Sequence, residues 1–79
     1  MTRIRYFAAA AEAAGTDLEH VDAGTLGELL DDVRARHGAD LARVLARCSL
    51  LIDGTRATDA STPLTDGGTV DVLPPFAGG

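Results

Sequence analysis

The stretch Thr69-Val70-Asp71-Val72-Leu73-Pro74-Pro75-Phe76-Ala77-Gly78-Gly79 closes the 79-residue sequence and decides how the rest of it is organised. Within it, Val70 and Val72 are two residues apart, which is the spacing of one face of a β-strand. Two prolines then end the strand, because proline has a fixed φ and no N–H to donate to a ladder. The last six residues are therefore expected to form an extended tail that reaches roughly 20 Å.

The tail continues after the prolines with one aromatic residue and three residues that have almost no side chain. Glycine lacks Cβ, so an enzyme can approach the backbone of Gly78 and Gly79 closely. Activation of a carboxylate by ATP as an acyl-adenylate supplies a leaving group, and a sulfur nucleophile can then form a thiocarboxylate. The tail thus favours a carrier that presents the Gly79 carboxylate to another protein. A frayed terminus without function is the alternative.

Charge and composition narrow the classes of partner. Twelve acidic residues against seven basic ones give a net charge of −5, which disfavours nucleic acid, because phosphate binding needs clustered positive charge. An acidic body suits a basic face on a partner protein. All seven basic residues are arginine, which excludes lysine-based covalent chemistry and leaves no side-chain amine for self-conjugation.

Length and hydropathy predict one small cytoplasmic domain without a membrane partner. A chain of 79 residues corresponds to a single domain. No apolar run approaches the roughly 18 residues of a transmembrane helix. The sequence from Met1 onwards enters a strand pattern directly, without the apolar region of a signal peptide.

The cysteine and the two histidines do not form a metal-binding pattern. Cys48 is the only cysteine, and His20 and His37 are isolated in the sequence, so no metal site is expected. Cys48 adjoins an apolar strand, which favours a buried structural thiol over a reactive one.

The first part of the chain predicts a strand, a short helix and a second strand. Residues 3–7 alternate so that Ile4 and Tyr6 share one face, while Arg3, Arg5 and Phe7 share the other. The alanine-rich residues 8–14 predict a helix, ended by a glycine. Residues 17–22 predict a weak second strand.

The main helix has a distinct start and an apolar stripe. Thr25-Leu26-Gly27-Glu28 matches the capping-box pattern, with Thr25 as N-cap. Leu26, Leu29, Leu30 and Val33 follow at helical spacing, which indicates a face packed on a core. A glycine ends this helix, and residues 40–47 predict a shorter one.

The remaining elements complete a small α+β fold. Residues 49–52 predict a buried strand, Asp53-Gly54 a hairpin turn, and residues 55–57 a returning strand. Residues 62–68 are rich in turn formers and precede the final strand. The predicted core consists of Leu29, Leu30, Val33, Leu50, Ile52, Val70 and Val72.

The sequence resembles the MoaD/ThiS family of ubiquitin-like sulfur carriers, and most of all the small subunit of molybdopterin synthase. The resemblance implies a β-grasp fold, in which one main helix packs across a mixed sheet. Residues 1–73 would form this domain and residues 74–79 a flexible Gly-Gly tail. The matching segments are Tyr6-Phe7-Ala8 with Glu12 and Gly15, Thr25 with Leu29, Leu64-Thr65-Asp66-Gly67 with Val70, and Pro74-Pro75 with Gly78-Gly79.

Three positions depart from the family's pattern. Ala11 occupies a position where the family often has arginine. Ile52-Asp53 replaces a frequent Val-Asn at the mid-chain hairpin, and Gly68 replaces a common acidic residue after the Asp-Gly turn. These departures bear on the partner and the pathway.

The resemblance implies a function for the tail. An E1-like adenylyltransferase/sulfurtransferase would adenylate Gly79 and convert it to a thiocarboxylate. The molybdopterin synthase large subunit would then receive the sulfur. The chain would bind no cofactor and supply no catalytic side chain. Residues of the tail would bind the partners, namely Pro75, Phe76, Ala77 and Gly78.

Two alternatives stay open. The same carrier chemistry could serve another sulfur acceptor, such as cysteine, thiamine or a specialised metabolite. The chain could also be a ubiquitin-like modifier that forms amide bonds to lysines of target proteins.

Overall fold

The computed structural model describes residues 1–75. Eight elements follow one another along the chain: β1 (Thr2–Tyr6), α1 (Ala9–Ala14), β2 (Leu18–Val21), α2 (Leu26–His37), α3 (Ala39–Leu45), β3 (Ser49–Ile52), β4 (Thr55–Ala57) and β5 (Thr69–Leu73). The predicted order of helices and strands is confirmed, and the bounds of β3, β4 and β5 are those that the sequence predicts.

The five strands form one mixed sheet in the order β2-β1-β5-β3-β4. β1 and β5 are parallel, whereas the other neighbouring pairs are antiparallel. The final strand is therefore the central one, with β1 on one side and β3 on the other. The stretch that precedes the tail is thus anchored in the middle of the sheet.

One face of the sheet packs against α2. Ile4 and Val70 on the strands and Leu29 and Val33 on the helix are completely buried in a single hydrophobic core. The larger set of buried hydrophobic residues also includes Tyr6, Ala10, Ala14, Val21, Leu26, Leu41, Leu45 and Val72. The helix-on-sheet arrangement of the predicted α+β fold is confirmed.

The depth of burial differs from the prediction at three core positions. Leu30, Leu50 and Ile52 are only half-buried and pack at the margin of the core. Leu30 and Leu50 line an open pocket at the side of α2 together with Cys48 and Ala57. β3 lies next to the edge strand β4, which has three residues and covers little of this margin.

The start of α2 is capped as the sequence predicts. The Glu28 backbone N–H donates to Thr25 Oγ1 at 3.2 Å, and the Thr25 hydroxyl donates to Glu28 Oε1 at 3.3 Å. Because the side chain of Thr25 satisfies one of the unpaired N–H groups of the first turn, it fixes where the helix begins. Gly38, with φ +81°, ends α2 and precedes α3.

The short helices α1 and α3 contact each other at the end of the sheet where β5 finishes. α1 follows β1 closely because Ala8 adopts a positive φ of 50° and turns the chain. None of the helices within residues 1–75 has the length and apolarity needed to span a membrane.

Candidate functional site

The chain leaves the sheet at its centre. Leu73, the last residue of β5, pairs with Ser49, and the Phe7 N–H donates to the Val72 carbonyl at 3.2 Å. Pro74 is half-buried, and Pro75 is exposed. Since prolines cannot donate to a neighbouring strand, ladder pairing ends here. β5 therefore leads into the tail from the centre of the sheet, where it pairs with a strand on each side.

The predicted site residues fall into two groups. Pro75 lies exposed at the tail exit, and its contact with a partner stays a prediction. Phe76, Ala77, Gly78 and Gly79 lie outside the described residues, so their roles stay predictions.

An open groove borders the tail exit on the side of the short helices. Its volume is about 810 Å³. Pro74 and Pro75 form one wall, while α1, α3 and the two residues after α3 form the rest with Ala9, Glu12, Ala13, Asp40, Arg43, Val44, Ala46 and Arg47. A partner that encloses the base of the tail would contact this groove.

On the other side of the tail exit lies the face of the sheet that α2 does not cover, here called the open face. Strand alternation and register place on it Arg3, Arg5, Phe7, Leu18, His20, Ser49, Leu51, Arg56, Thr69, Asp71 and Leu73. Phe7 is 40% exposed and Leu18 45% exposed, and both are large apolar side chains. Leu51 and Leu73 are half-buried. The open face therefore combines apolar side chains with arginines.

An ion pair occupies the centre of the open face. Arg5 and Asp71 are direct partners across the parallel strands β1 and β5. Arg5 donates from Nε to Asp71 Oδ1 at 2.5 Å and from Nη2 to Asp71 Oδ2 at 2.8 Å. These hydrogen bonds and the charge of Asp71 raise the pKa of Arg5. The guanidinium also lies 5.6 Å from the centre of the Phe7 ring, within the range of a cation–π contact.

The charge of the open face is opposite to that of the whole chain. The open face has three arginines and one aspartate, whereas the chain has twelve acidic and seven basic residues. The acidic residues therefore lie mostly elsewhere, so the basic partner surface expected from net charge does not suit this face. An acidic partner surface would suit the charge of the open face.

Cys48 has the environment of a structural thiol. Its S–H donates to the Val44 carbonyl at 3.1 Å, and burial raises the pKa of the thiol. Both effects oppose formation of the reactive thiolate. Within residues 1–75, no group of three or more His, Cys, Asp or Glu side chains is placed to hold a metal ion.

Sequence reasoning missed the Arg5–Asp71 pair, although each residue carried part of the signal. Alternation had placed Arg5 on the face opposite Ile4, and the same rule places Asp71 opposite Val70 and Val72. What the sequence lacked was the parallel pairing of β1 with β5, which joins residues 66 positions apart.

The mixed sheet with its central last strand and the helix packed across one face defines the β-grasp class of ubiquitin-like proteins. The model of the ThiS family matches residues 4–79, and the chain belongs to this family. This confirms the predicted family and places the chain among the ubiquitin-like sulfur carriers.

Solved structures of other proteins have the same fold as this chain. Small archaeal modifier protein 1 from Haloferax volcanii is 27% identical, with a TM-score of 0.85 over 99% of this chain and 98% of that one. A chain in the complex of subunits 1 and 2 of molybdopterin-converting factor from Helicobacter pylori is 24% identical (TM-score 0.74; 99% and 97% covered). A chain in the BexX/CysO complex of Amycolatopsis orientalis is 20% identical (TM-score 0.80; 100% of both covered). No curated protein sequence matches the chain.

Proposed function

We propose that this chain donates sulfur for molybdopterin synthesis as the small subunit of molybdopterin synthase, with a thiocarboxylate at Gly79 as the sulfur donor. The observation that carries the proposal is the continuity between the central strand and the tail. β5 ends at Leu73, the prolines stop its pairing, and the match to the ThiS family extends through Gly79. The central strand is thereby followed directly by a tail whose last three residues contain no bulky side chain.

The chemistry requires two successive displacements, the first at the α-phosphorus of ATP and the second at the carbonyl carbon of Gly79. A carboxylate oxygen attacks the α-phosphorus of ATP on an E1-like partner, pyrophosphate leaves, and an acyl-adenylate forms. A nucleophile at the oxidation level of hydrosulfide then attacks the carbonyl carbon, and AMP leaves with its electron pair. The product is a thiocarboxylate, whose sulfur is nucleophilic toward the acceptor held by a large subunit.

In this proposal the chain supplies the reacting group and the means of placing it. Phe76 anchors the tail in the partner, and Gly78 leaves room for the groups that attack the neighbouring carbonyl. ATP and the pterin precursor bind to the partners. Pro74 and Pro75 end the pairing of β5 with its neighbours, so that the folded body can stay outside the site that the tail enters.

The choice of molybdopterin as acceptor rests on the family resemblance of the tail, the late turn and the first helix. The solved complex from Helicobacter pylori joins the two subunits of molybdopterin-converting factor, and one of its chains shares this fold. A chain of the BexX/CysO complex has the same fold, so the fold alone leaves a carrier for a different acceptor as the second possibility.

A ubiquitin-like modifier is a candidate from another class of protein. Small archaeal modifier protein 1, at 27% identity, favours it. A modifier would form an amide bond between Gly79 and a lysine on a target protein. The distinguishing measurement is a search for peptides of other proteins that carry the tail on a lysine side chain in a digest of the native cell lysate.

Intact-mass spectrometry tests the sulfur-carrier proposal. The chain is incubated with the E1-like enzyme of its own organism, ATP and a sulfur donor. We expect a mass gain equal to the difference between one sulfur and one oxygen atom, which fragmentation assigns to Gly79. The Cys48→Ala variant should gain the same mass, whereas the variant lacking Gly79 should gain none. Sulfur found on Cys48 as a persulfide would overturn the proposal.

The acceptor is tested in a second step. The thiocarboxylated chain is mixed with a molybdopterin synthase large subunit and the pyranopterin precursor. Conversion of the precursor to a dithiolene, together with loss of the sulfur from Gly79, supports the molybdopterin assignment. A thiocarboxylate that persists in this mixture but is consumed with a cysteine or thiamine precursor supports the other acceptor.

A further inference from the structure

The open face contains a pre-positioned guanidinium that the tail chemistry does not use. We propose that Arg5, held by Asp71 and Phe7, is a specificity-determining residue that binds a carboxylate on the E1-like enzyme that activates the tail. The inference rests on the proposed function, because it deepens the description of the partner. It assigns to that partner an acidic surface whose carboxylate is surrounded by apolar side chains.

The geometry of Arg5 leaves part of its guanidinium available. Asp71 accepts from Nε and Nη2, while among residues 1–75 no other acceptor bonds to the Arg5 side chain. Arginine has five N–H donors in a planar fork, so donors on Nη1 and Nη2 remain. The Arg5 side chain is 53% exposed, whereas that of Asp71 is 13% exposed. The aspartate is therefore shielded beneath a guanidinium that faces solvent.

The fixed position of Arg5 reduces the entropy cost of binding. Free arginine side chains lose much rotamer entropy when they are immobilised. Here two hydrogen bonds to Asp71 and the Phe7 ring at 5.6 Å already restrict the guanidinium before a partner arrives. A pre-organised fork suits a planar carboxylate, which it can bind with two parallel hydrogen bonds.

The surroundings of Arg5 favour an acidic protein surface. Arg3 lies two residues away on the same face and forms no ion pair within residues 1–75, and Arg56 lies at the β4 edge. With Asp71 neutralising Arg5, the other two arginines give the open face its positive charge. A partner carboxylate is attracted to this face and repelled by the acidic remainder of the chain, which fixes its orientation.

The apolar residues of the open face connect Arg5 to the tail. Phe7 and Leu18 flank the ion pair, and Leu73 carries the same face up to the tail exit. A protein that binds the tail would therefore also contact the open face. Nucleic acid and anionic membranes suit it less well, because Asp71 lies at its centre and its exposed side chains are partly apolar.

The experiment removes the ion pair without changing net charge. The double variant Arg5→Val/Asp71→Val replaces both charges with residues that favour strands. Such replacements of a partly buried pair are often neutral for stability, and thermal unfolding verifies the fold. We expect the Michaelis constant for the carrier, measured with the E1-like enzyme of the same organism as AMP release, to rise about tenfold with kcat unchanged.

Charge complementarity is tested with a matched pair of variants. Arg3→Glu and Arg34→Glu change the net charge equally, but Arg34 lies on α2, on the other side of the sheet, in a weak exposed pair with Asp31. We expect Arg3→Glu to raise the Michaelis constant about tenfold and Arg34→Glu to change it less than about twofold. Arg5→Lys keeps the charge but loses the fork, and should fall between wild type and the double variant.

Three results would overturn the inference. One is a double variant that folds and binds as wild type, and another is an equal effect of Arg3→Glu and Arg34→Glu. The third is Arg3-dependent binding of vesicles that contain an anionic phospholipid, with partner binding unaffected. Failure of the proposed function is distinct, because the wild-type chain would then yield no AMP or thiocarboxylate at Gly79.

Discussion

The Tyr6 hydroxyl on β1 donates a 2.8 Å hydrogen bond to Glu19 Oε1 on the neighbouring strand β2. His37 Nε2, at the end of α2, lies 2.5 Å from the same oxygen, and the Tyr6 and His37 rings meet edge-to-face. Arg36 Nη1 lies 3.6 Å from the other Glu19 oxygen. Glu19 thus links the edge strand of the sheet to the helix that covers it.

The pH dependence of stability follows from Glu19. Burial raises the pKa of its carboxyl group, but the hydrogen bonds from His37 and Tyr6 and the nearby charges lower it more, so the net shift is below the ordinary value of 4.5. A lowered folded-state pKa gives stability that is present above pH 4.5 and is lost as pH falls through the folded pKa.

We therefore expect Glu19→Gln to lower the free energy of unfolding by about 1–3 kcal/mol at neutral pH. The difference in unfolding free energy between wild type and variant should narrow as pH falls below 4.5 and through the lowered folded-state pKa of Glu19, because wild type then also loses this charge. Urea unfolding of wild type and variant at neutral and at acidic pH measures this difference. Asp31→Asn, at a carboxylate that is 82% exposed, is the control and should have little effect. A gap that is independent of pH contradicts the assignment.

The burial of α2 predicts unequal effects for two adjacent leucines. Leu29 is completely buried, whereas Leu30 is half-buried beside an open pocket. We expect Leu29→Ala to cost about 2–5 kcal/mol of unfolding free energy, because it leaves a cavity in the core. Leu30→Ala should cost clearly less, since solvent already reaches its surroundings. Equal urea midpoints for the two variants would be incompatible with this packing.

Two departures from the family's pattern are coupled in space. An added Cβ at Gly68 would lie 2.9 Å from the Thr65 carbonyl oxygen and 3.1 Å from Asp53 Oδ2. The Asp53 carboxylate is held there, because its Oδ1 accepts a 2.8 Å hydrogen bond from the Thr69 N–H. An acidic residue at position 68 would thus place a second carboxylate beside that of Asp53, which stands where the family often has asparagine.

This coupling predicts that Gly68→Ala costs about 1–3 kcal/mol through crowding. Gly68→Asp should cost more at neutral pH, and Asp53→Asn should recover part of that difference by removing the like charge. Gly24→Ala is the control, because its added Cβ would make only an ordinary 3.4 Å contact with Glu28. Thermal unfolding of the four variants measures the effect. No recovery on combining Asp53→Asn with Gly68→Asp would show that charge plays no part.

The fold follows largely from local signals in the sequence. The β3–β4 hairpin has its predicted bounds because Asp53 and Gly54 both adopt the positive φ that such a turn needs. α3 ends at Leu45, two residues earlier than the sequence predicts. The reason is that the N–H groups of Arg47 and Cys48 donate to carbonyls three residues back, those of Val44 and Leu45, instead of four residues back as in an α-helix. That switch has no clear signature in the sequence.

Long-range features were beyond sequence reasoning. The helical stripe predicted that Leu29 and Leu30 both face the core, but only packing against the sheet decides which of them is sealed from solvent. The contact between Tyr6 and Glu19 likewise depends on the register of β1 with β2. The tail was the strongest sequence signal, since its composition needs no tertiary context to suggest its chemistry.

The last prediction concerns the steric role of Gly78. We expect Gly78→Ala to lower kcat/KM for adenylation by the E1-like enzyme at least about tenfold, because the new Cβ obstructs the approach to the Gly79 carboxyl group. Ala77→Gly, one residue earlier, is the matched control and should retain the wild-type rate. Both variants should unfold at the wild-type temperature, since all buried core residues in the described part of the chain, residues 1–75, precede Pro74. ATP-dependent AMP release measures the rate, and a Gly78→Ala variant that is adenylated as fast as Ala77→Gly would remove Gly78 from the site.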